Sequence, residues 1–132
     1  MRLVRPKPLH RIMLVEDDPD ILSIAQLALE SLGGFTLSLC HNGVAALERA
    51  EAFQPDLILM DVMMPELDGP STLAALRKRP ETATTPVIFM TARAQQHEIE
   101  EYRRLGAVDV IRKPFDPIQL PQSLRTIWRT AA

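Results

Sequence analysis

A chain of 132 residues, 46% hydrophobic and 24% charged, has the makeup of one ordinary soluble globular domain, long enough to bury a core. Its formal net charge of −2 gives no electrostatic case for nucleic acid as the main partner. No apolar stretch approaches the roughly 18 residues needed to span a bilayer, and the lone Cys40 permits no internal disulfide, so a cytoplasmic location without membrane attachment fits best.

Residues 1–10 are basic, broken by Pro6 and Pro8, and lack the apolar centre of a signal peptide, so a flexible N-terminal tail is expected there, ahead of a domain over 11–130. Ile12-Met13-Leu14-Val15 is a short apolar run that empties into Glu16-Asp17-Asp18. Such unbroken runs read as strands buried on both faces of a parallel sheet. Pro19 suits a first helical position with Asp18 as its cap, and Ile21, Ile24, Ala25, Ala28, Leu29 and Leu32 recur at helical spacing up to Gly33-Gly34. Thr36-Leu37-Ser38-Leu39 alternates polar and apolar, which marks an edge strand. Asn42-Gly43 opens a second helix with Val44, Leu47 and Ala50 inward, closed before Pro55.

Leu57-Ile58-Leu59-Met60 then runs straight into Asp61, the acid around which the chain is organised. Asp68-Gly69-Pro70 introduces a third helix, with Leu73, Ala74 and Leu76 inward, and Pro80 ends it. Val87-Ile88-Phe89-Met90 leads to Thr91. Residues 93–105 predict a mostly polar helix with only Ala94, Ile99, Tyr102 and Leu105 at core spacing, and so the element most able to shift. After Gly106, Val108-Asp109-Val110-Ile111 precedes Lys113-Pro114-Phe115. A last helix reaches about Trp128, with Pro121 either in its first turn or before a late start.

Five strands alternating with five helices imply a doubly wound α/β fold. With the most apolar strands inside, the strand order is 2-1-3-4-5, the flavodoxin-like arrangement. Ligands bind such sheets beyond the carboxyl ends of the strands. The acids, the hydroxyl of Thr91 and the amine of Lys113 all converge on that rim. Clustered carboxylates raise each other's pKa unless a cation offsets them, and Mg²⁺ takes oxygen ligands in near-octahedral geometry.

In this ordered set of residues the chain resembles the receiver domain of two-component response regulators, over about residues 11–129. The landmarks are Glu16-Asp17, Asp61, Pro65, Gly69, Thr91 and Lys113-Pro114-Phe115, and their order and separations also fit that family. The resemblance implies that Asp61 accepts a phosphoryl group from a histidine kinase or a histidine phosphotransfer protein. It implies Mg²⁺ held by Asp17, Asp61 and the backbone carbonyl of Met63, with Glu16 acting mainly through water. Lys113 would pair with the phosphoryl oxygens, Thr91 would hydrogen-bond one of them, and the Lys113–Pro114 peptide would be cis. Met63 and Arg93 occupy places that tune dephosphorylation in the family. A downstream protein would be met through residues 93–129.

A hydrogen bond to a charged group contributes about 1.5–3 kcal/mol, whereas inverting a 1:99 equilibrium needs roughly 5.5 kcal/mol. Thr91 alone therefore cannot throw such a switch. The family commonly adds an aromatic residue three positions before the lysine, and here that position is Val110. Either the population shift is weaker, or the helix at 93–105 carries most of the response.

Two other functions compete. A hydrolase using Asp61 as nucleophile would resemble an Asp-x-Asp pattern, but Met63 stands where its second acid belongs. A receiver-shaped module that is never phosphorylated is disfavoured by the intact acidic site. Asp18 reads as a helix cap rather than a ligand, and His10, His41 and His97 as scattered surface residues. The chain ends with the fifth helix, which fits a stand-alone regulator or a fragment of a longer protein.

Overall fold

The computed structural model describes residues 7–130. Five strands, β1 (Arg11–Val15), β2 (Thr36–Cys40), β3 (Leu57–Asp61), β4 (Val87–Thr91) and β5 (Asp109–Arg112), form one sheet in the order β2-β1-β3-β4-β5. Every pairing is parallel. This is the flavodoxin-like order read from the strand polarity, with β2 and β5 at the edges.

Four α-helices connect the strands, α1 (Pro19–Leu27), α2 (Gly43–Phe53), α3 (Gly69–Arg77) and α4 (Gln96–Arg104), and a fifth, α5 (Leu120–Thr130), follows β5. Alternation along the central strands divides the interior into two cores. Ile12, Leu14, Leu57 and Leu59 pack with Leu29 of the first helical segment and Leu124 of α5. Met13, Val15, Ile58 and Met60 face the other way, toward α2, α3 and Tyr102 of α4. Both faces are covered, which is why these strands are apolar without interruption.

The helix starts obey local chemistry. Asp18, Asn42 and Asp68 each accept a backbone N–H of the first turn through a side-chain oxygen. Pro121 is the second residue of α5, where its missing N–H costs no helical bond. Gly69 is required by close approach: a Cβ there would lie 2.7 Å from the Asp61 carbonyl oxygen and 2.9 Å from Val62 Cα. Its amide donates to the Val62 carbonyl at 2.8 Å, fastening α3 beneath the end of β3.

Several helix faces differ from the sequence expectation. Ile24 and Leu32 are exposed, while Leu22 takes an inward place beside Ala25, Ala28 and Leu29. Two apolar stripes lie about one residue apart on α1, and a π-helical turn over Ala28–Leu32 swings Leu32 outward. Val44 and Ala74 are exposed; Ala46 and Ala50 bring α2 close to the sheet, and Thr72 accompanies Leu73 and Leu76 inside α3. Helix α4 begins at Gln96, not 93, and Leu105 is exposed because the chain turns at Gly106 (φ +116) and buries Ala107 instead.

The expected N-terminal tail divides in two: residues 1–6 lie outside the described residues, whereas residues 7–10 are bound to the domain. Leu9 is buried, and Lys7 pairs with Asp56 at 3.0 Å. Trp128 donates its indole N–H to the Lys7 carbonyl. Among the described residues no helix is long and apolar enough to cross a membrane.

Candidate functional site

Glu16 immediately follows β1, Asp61 ends β3, and Lys113 immediately follows β5, so the parallel sheet delivers all three to one rim. Glu16 continues the alternation of Ile12 and Leu14, and Asp61 that of Leu57 and Leu59, so the two acids share a face. Glu16, Asp17 and Asp61 each offer a carboxylate oxygen, and these atoms lie within 4.8 Å of one another. Glu16 and Asp61 are buried while Asp17 is exposed, which leaves the cluster one open side.

Lys113 bridges the buried acids, its ammonium lying 2.7 Å from Glu16 Oε1 and 3.1 Å from Asp61 Oδ1. Burial works to lower its pKa, but the bonds to both carboxylates outweigh this and hold it above the ordinary lysine value. Glu16 is pushed up to about 7, chiefly because burial penalises its charge; the Asp61 carboxylate adds to the rise, while Lys113 and the Asp18 amide oppose it. Burial, rather than repulsion among acids, is thus the leading cause. With three carboxylates against one ammonium, the cluster keeps an excess of negative charge and an all-oxygen donor set. Such a site suits a hard divalent cation.

Thr91 ends β4 and is buried, but it continues the alternation of Val87 and Phe89, on the α4 side of the sheet. Its hydroxyl accepts the Arg93 amide at 2.9 Å, and its carbonyl accepts the Lys113 amide at 2.9 Å. Met63 lies in the loop after β3 with its side chain exposed. The Lys113–Pro114 peptide is cis, matching the resemblance. Asp18 caps α1 outside the acidic cluster, and His10, His41 and His97 are exposed.

Two features went unread in the sequence. Arg112, just before the lysine, donates to the Ala94 carbonyl at 2.8 Å and so ties β5 to the segment leading into α4. Beside the acids, Ile21, Ile24, Lys113, Pro114, Phe115 and Pro117 help line an apolar groove of about 350 Å³. The run Lys113-Pro114-Phe115 hinted at that groove, but its α1 wall depends on which face of the helix turns toward β5.

Comparison with known proteins agrees with this geometry. A family profile described as the response regulator receiver domain matches residues 12–125. The chain is 38% identical over 118 residues to the transcriptional regulatory protein CseB of Streptomyces coelicolor, covering 89% of this chain and 49% of that protein. It is 39% identical over 121 residues to the transcriptional regulatory protein CpxR of Escherichia coli, covering 92% and 50%. The chain therefore spans about half the length of the curated relatives it matches.

Among solved structures, a response regulator from Desulfuromonas acetoxidans superposes with a TM-score of 0.83 at 32% identity, covering 93% of this chain and 99% of that one. The receiver domain of the sensor histidine kinase PA1611 from Pseudomonas aeruginosa, solved with magnesium coordinated in its active-site cleft, superposes with a TM-score of 0.79 at 34% identity, covering 90% and 96%.

Proposed function

The chain belongs to the response regulator receiver domain family, whose general function is a phosphorylation-dependent switch in two-component signalling, and we propose that Asp61 carries the phosphoryl group here. The observation that supports this most is the Lys113 ammonium set between Glu16 and Asp61, with Asp17 beside them. Transfer of a phosphoryl group needs positioning and charge stabilisation more than covalent chemistry from the protein.

In the reaction, a carboxylate oxygen of Asp61 attacks the phosphorus of a phosphohistidine presented by a histidine kinase or a phosphotransfer protein. The new O–P bond forms as the N–P bond breaks, and the imidazole leaves with the electron pair. Lys113 exchanges part of its pairing with the acids for the incoming phosphoryl oxygens. Thr91 donates its hydroxyl to one of those oxygens. Asp17, Asp61 and the Met63 carbonyl would hold Mg²⁺, with Glu16 reaching it mainly through water. When bound, the ion offsets charge on the acids and the transferring group. The domain thereby assists its own phosphorylation and dephosphorylation without acting as an enzyme on other substrates.

Phosphorylation changes contacts with a downstream protein. The surface of residues 93–129 is the proposed contact face, and its Pro114, Phe115 and Pro117 help line the apolar groove beside the site. Neither nucleic acid nor membrane is a proposed partner of this domain, and a cytoplasmic setting suits a phosphohistidine donor.

Incubating the protein with a small phosphodonor and Mg²⁺ tests this reading. Stable labelling at one phosphoryl group per chain, absent in Asp61→Asn, is the expected result. Steady turnover of the donor would indicate a hydrolase, and no labelling a receiver-shaped module without phosphoryl chemistry.

A further inference from the structure

Residues 92–95, between Thr91 and α4, are held by a side chain from the neighbouring strand. Thr91 and Arg112 are partners in the β4–β5 register. From that position Arg112 reaches forward to the carbonyl of Ala94 at 2.8 Å, while the Arg93 amide donates back to the Thr91 hydroxyl at 2.9 Å. Ala94 is buried, and the amide of Gln95 is taken by Glu98 at 3.0 Å as α4 starts. The path of residues 92–95 thus rests on a guanidinium at one end and on the Thr91 hydroxyl at the other.

Helix α4 offers little else to hold that end. Its one buried side chain is Tyr102, which meets Phe89 edge-on with ring centroids 5.5 Å apart, a turn or more beyond the helix start. The Arg103–Asp109 pair lies farther along still. Displacing residues 92–95 therefore requires that the Arg112 bond break together with the Arg93–Thr91 bond, and that Ala94 give up its buried place.

We propose that Arg112 is a positioning residue for Thr91: by holding the Ala94 carbonyl it keeps residues 92–95 on their resting path and sets how readily the Thr91 hydroxyl reaches a phosphoryl group on Asp61. The proposal rests on the phosphoacceptor reading of Asp61. A contact that favours the resting path opposes any ligand that draws the hydroxyl away from it, and the opposition is reciprocal. Removing the contact should therefore strengthen binding of a phosphoryl mimic, and only through Thr91.

The test compares wild type, Arg112→Ala, Arg112→Lys, Thr91→Ala and the Arg112→Ala/Thr91→Ala pair, all as the full chain. Without ligand, amide exchange at Arg93, Ala94 and Gln95 should quicken about tenfold in Arg112→Ala and be partly restored in Arg112→Lys, as fits loss of one hydrogen bond to a charged group. With Mg²⁺ and beryllium fluoride as the phosphoryl mimic, Arg112→Ala should bind several-fold more tightly than wild type. That gain should vanish when Thr91 is alanine. Unchanged exchange in a folded Arg112→Ala protein, weaker binding, or a gain that persists without the Thr91 hydroxyl would each overturn the proposal. Failure of wild type to bind the mimic would instead count against the phosphoacceptor reading, and the exchange comparison would still decide the role of Arg112.

Discussion

If the acidic cluster binds a divalent cation, Glu16 should make that affinity depend on pH in a window set by its own burial. Its carboxyl is pushed up to about 7 and has Asp17, Asp61 and Lys113 as its charged neighbours. A cation competes with the proton on Glu16, so the apparent affinity for Mg²⁺ should be full above the shifted pKa and fall as pH drops through it. For a single proton with a pKa of about 7, lowering pH from about 8 to about 6 weakens binding roughly tenfold. The same shift has the opposite sign for the metal-free fold. A raised carboxyl favours folding below its ordinary value of 4.5, and that contribution is lost as pH rises through about 7. Calorimetric titration with Mg²⁺ across this range, on wild type and Glu16→Gln, measures the first effect directly. Wild type should lose affinity toward a pH of about 6, while Glu16→Gln should bind weakly with a flat profile. A flat wild-type profile, or an unchanged slope in Glu16→Gln, would refute the reasoning.

Local geometry sets three further outcomes. Gly69→Ala should destabilise the domain by about 1–3 kcal/mol, because its Cβ would press on the backbone of Asp61 and Val62; denaturant unfolding reads this out. Asp56 accepts the amides of His10 and Arg11 and pairs with Lys7; burial works to raise its pKa, but these partners outweigh it and hold the carboxyl below its ordinary value. Its stabilisation is therefore present above pH 3.8 and lost as pH falls through the depressed value, and at neutral pH Asp56→Ala should cost about 1–3 kcal/mol in denaturant unfolding, a penalty that shrinks in acid. Gln54 ends α2 in the left-handed region at φ 54, so Gln54→Gly should raise the melting temperature, by relief of about 0.5–1 kcal/mol.

The sheet was legible in the sequence because its central strands β1, β3 and β4 are buried on both faces, and a two-sided core demands apolar runs that no helix of that length would need. Strand order came from the alternation in β2 and the polar Asp109 in β5, which marked both as edges. The convergence of Glu16, Asp61 and Lys113 came with it, since parallel strands put all their carboxyl ends on one rim. Helix orientation was harder to read. On α1 the stripes through Ile24 and Leu22 are equally apolar, and only packing against the sheet, with the π-helical turn at Ala28–Leu32, selects the second. The start of α4 was misplaced because residues 93–95 carry no helix breaker; hydrogen bonds from Arg112 and to Thr91 hold them out of the helix. A long-range bond from an arginine to a backbone carbonyl leaves no periodic signature.

The chemistry of this rim depends above all on which residue carries the phosphoryl group. Treating the labelled protein with borohydride, which reduces an acyl phosphate and leaves unmodified carboxylates intact, then sequencing the peptides by mass spectrometry, locates it directly. Conversion at position 61 alone is the predicted result. Conversion at Asp17 or Glu16, or label found on His10, His41 or His97 instead, would contradict it.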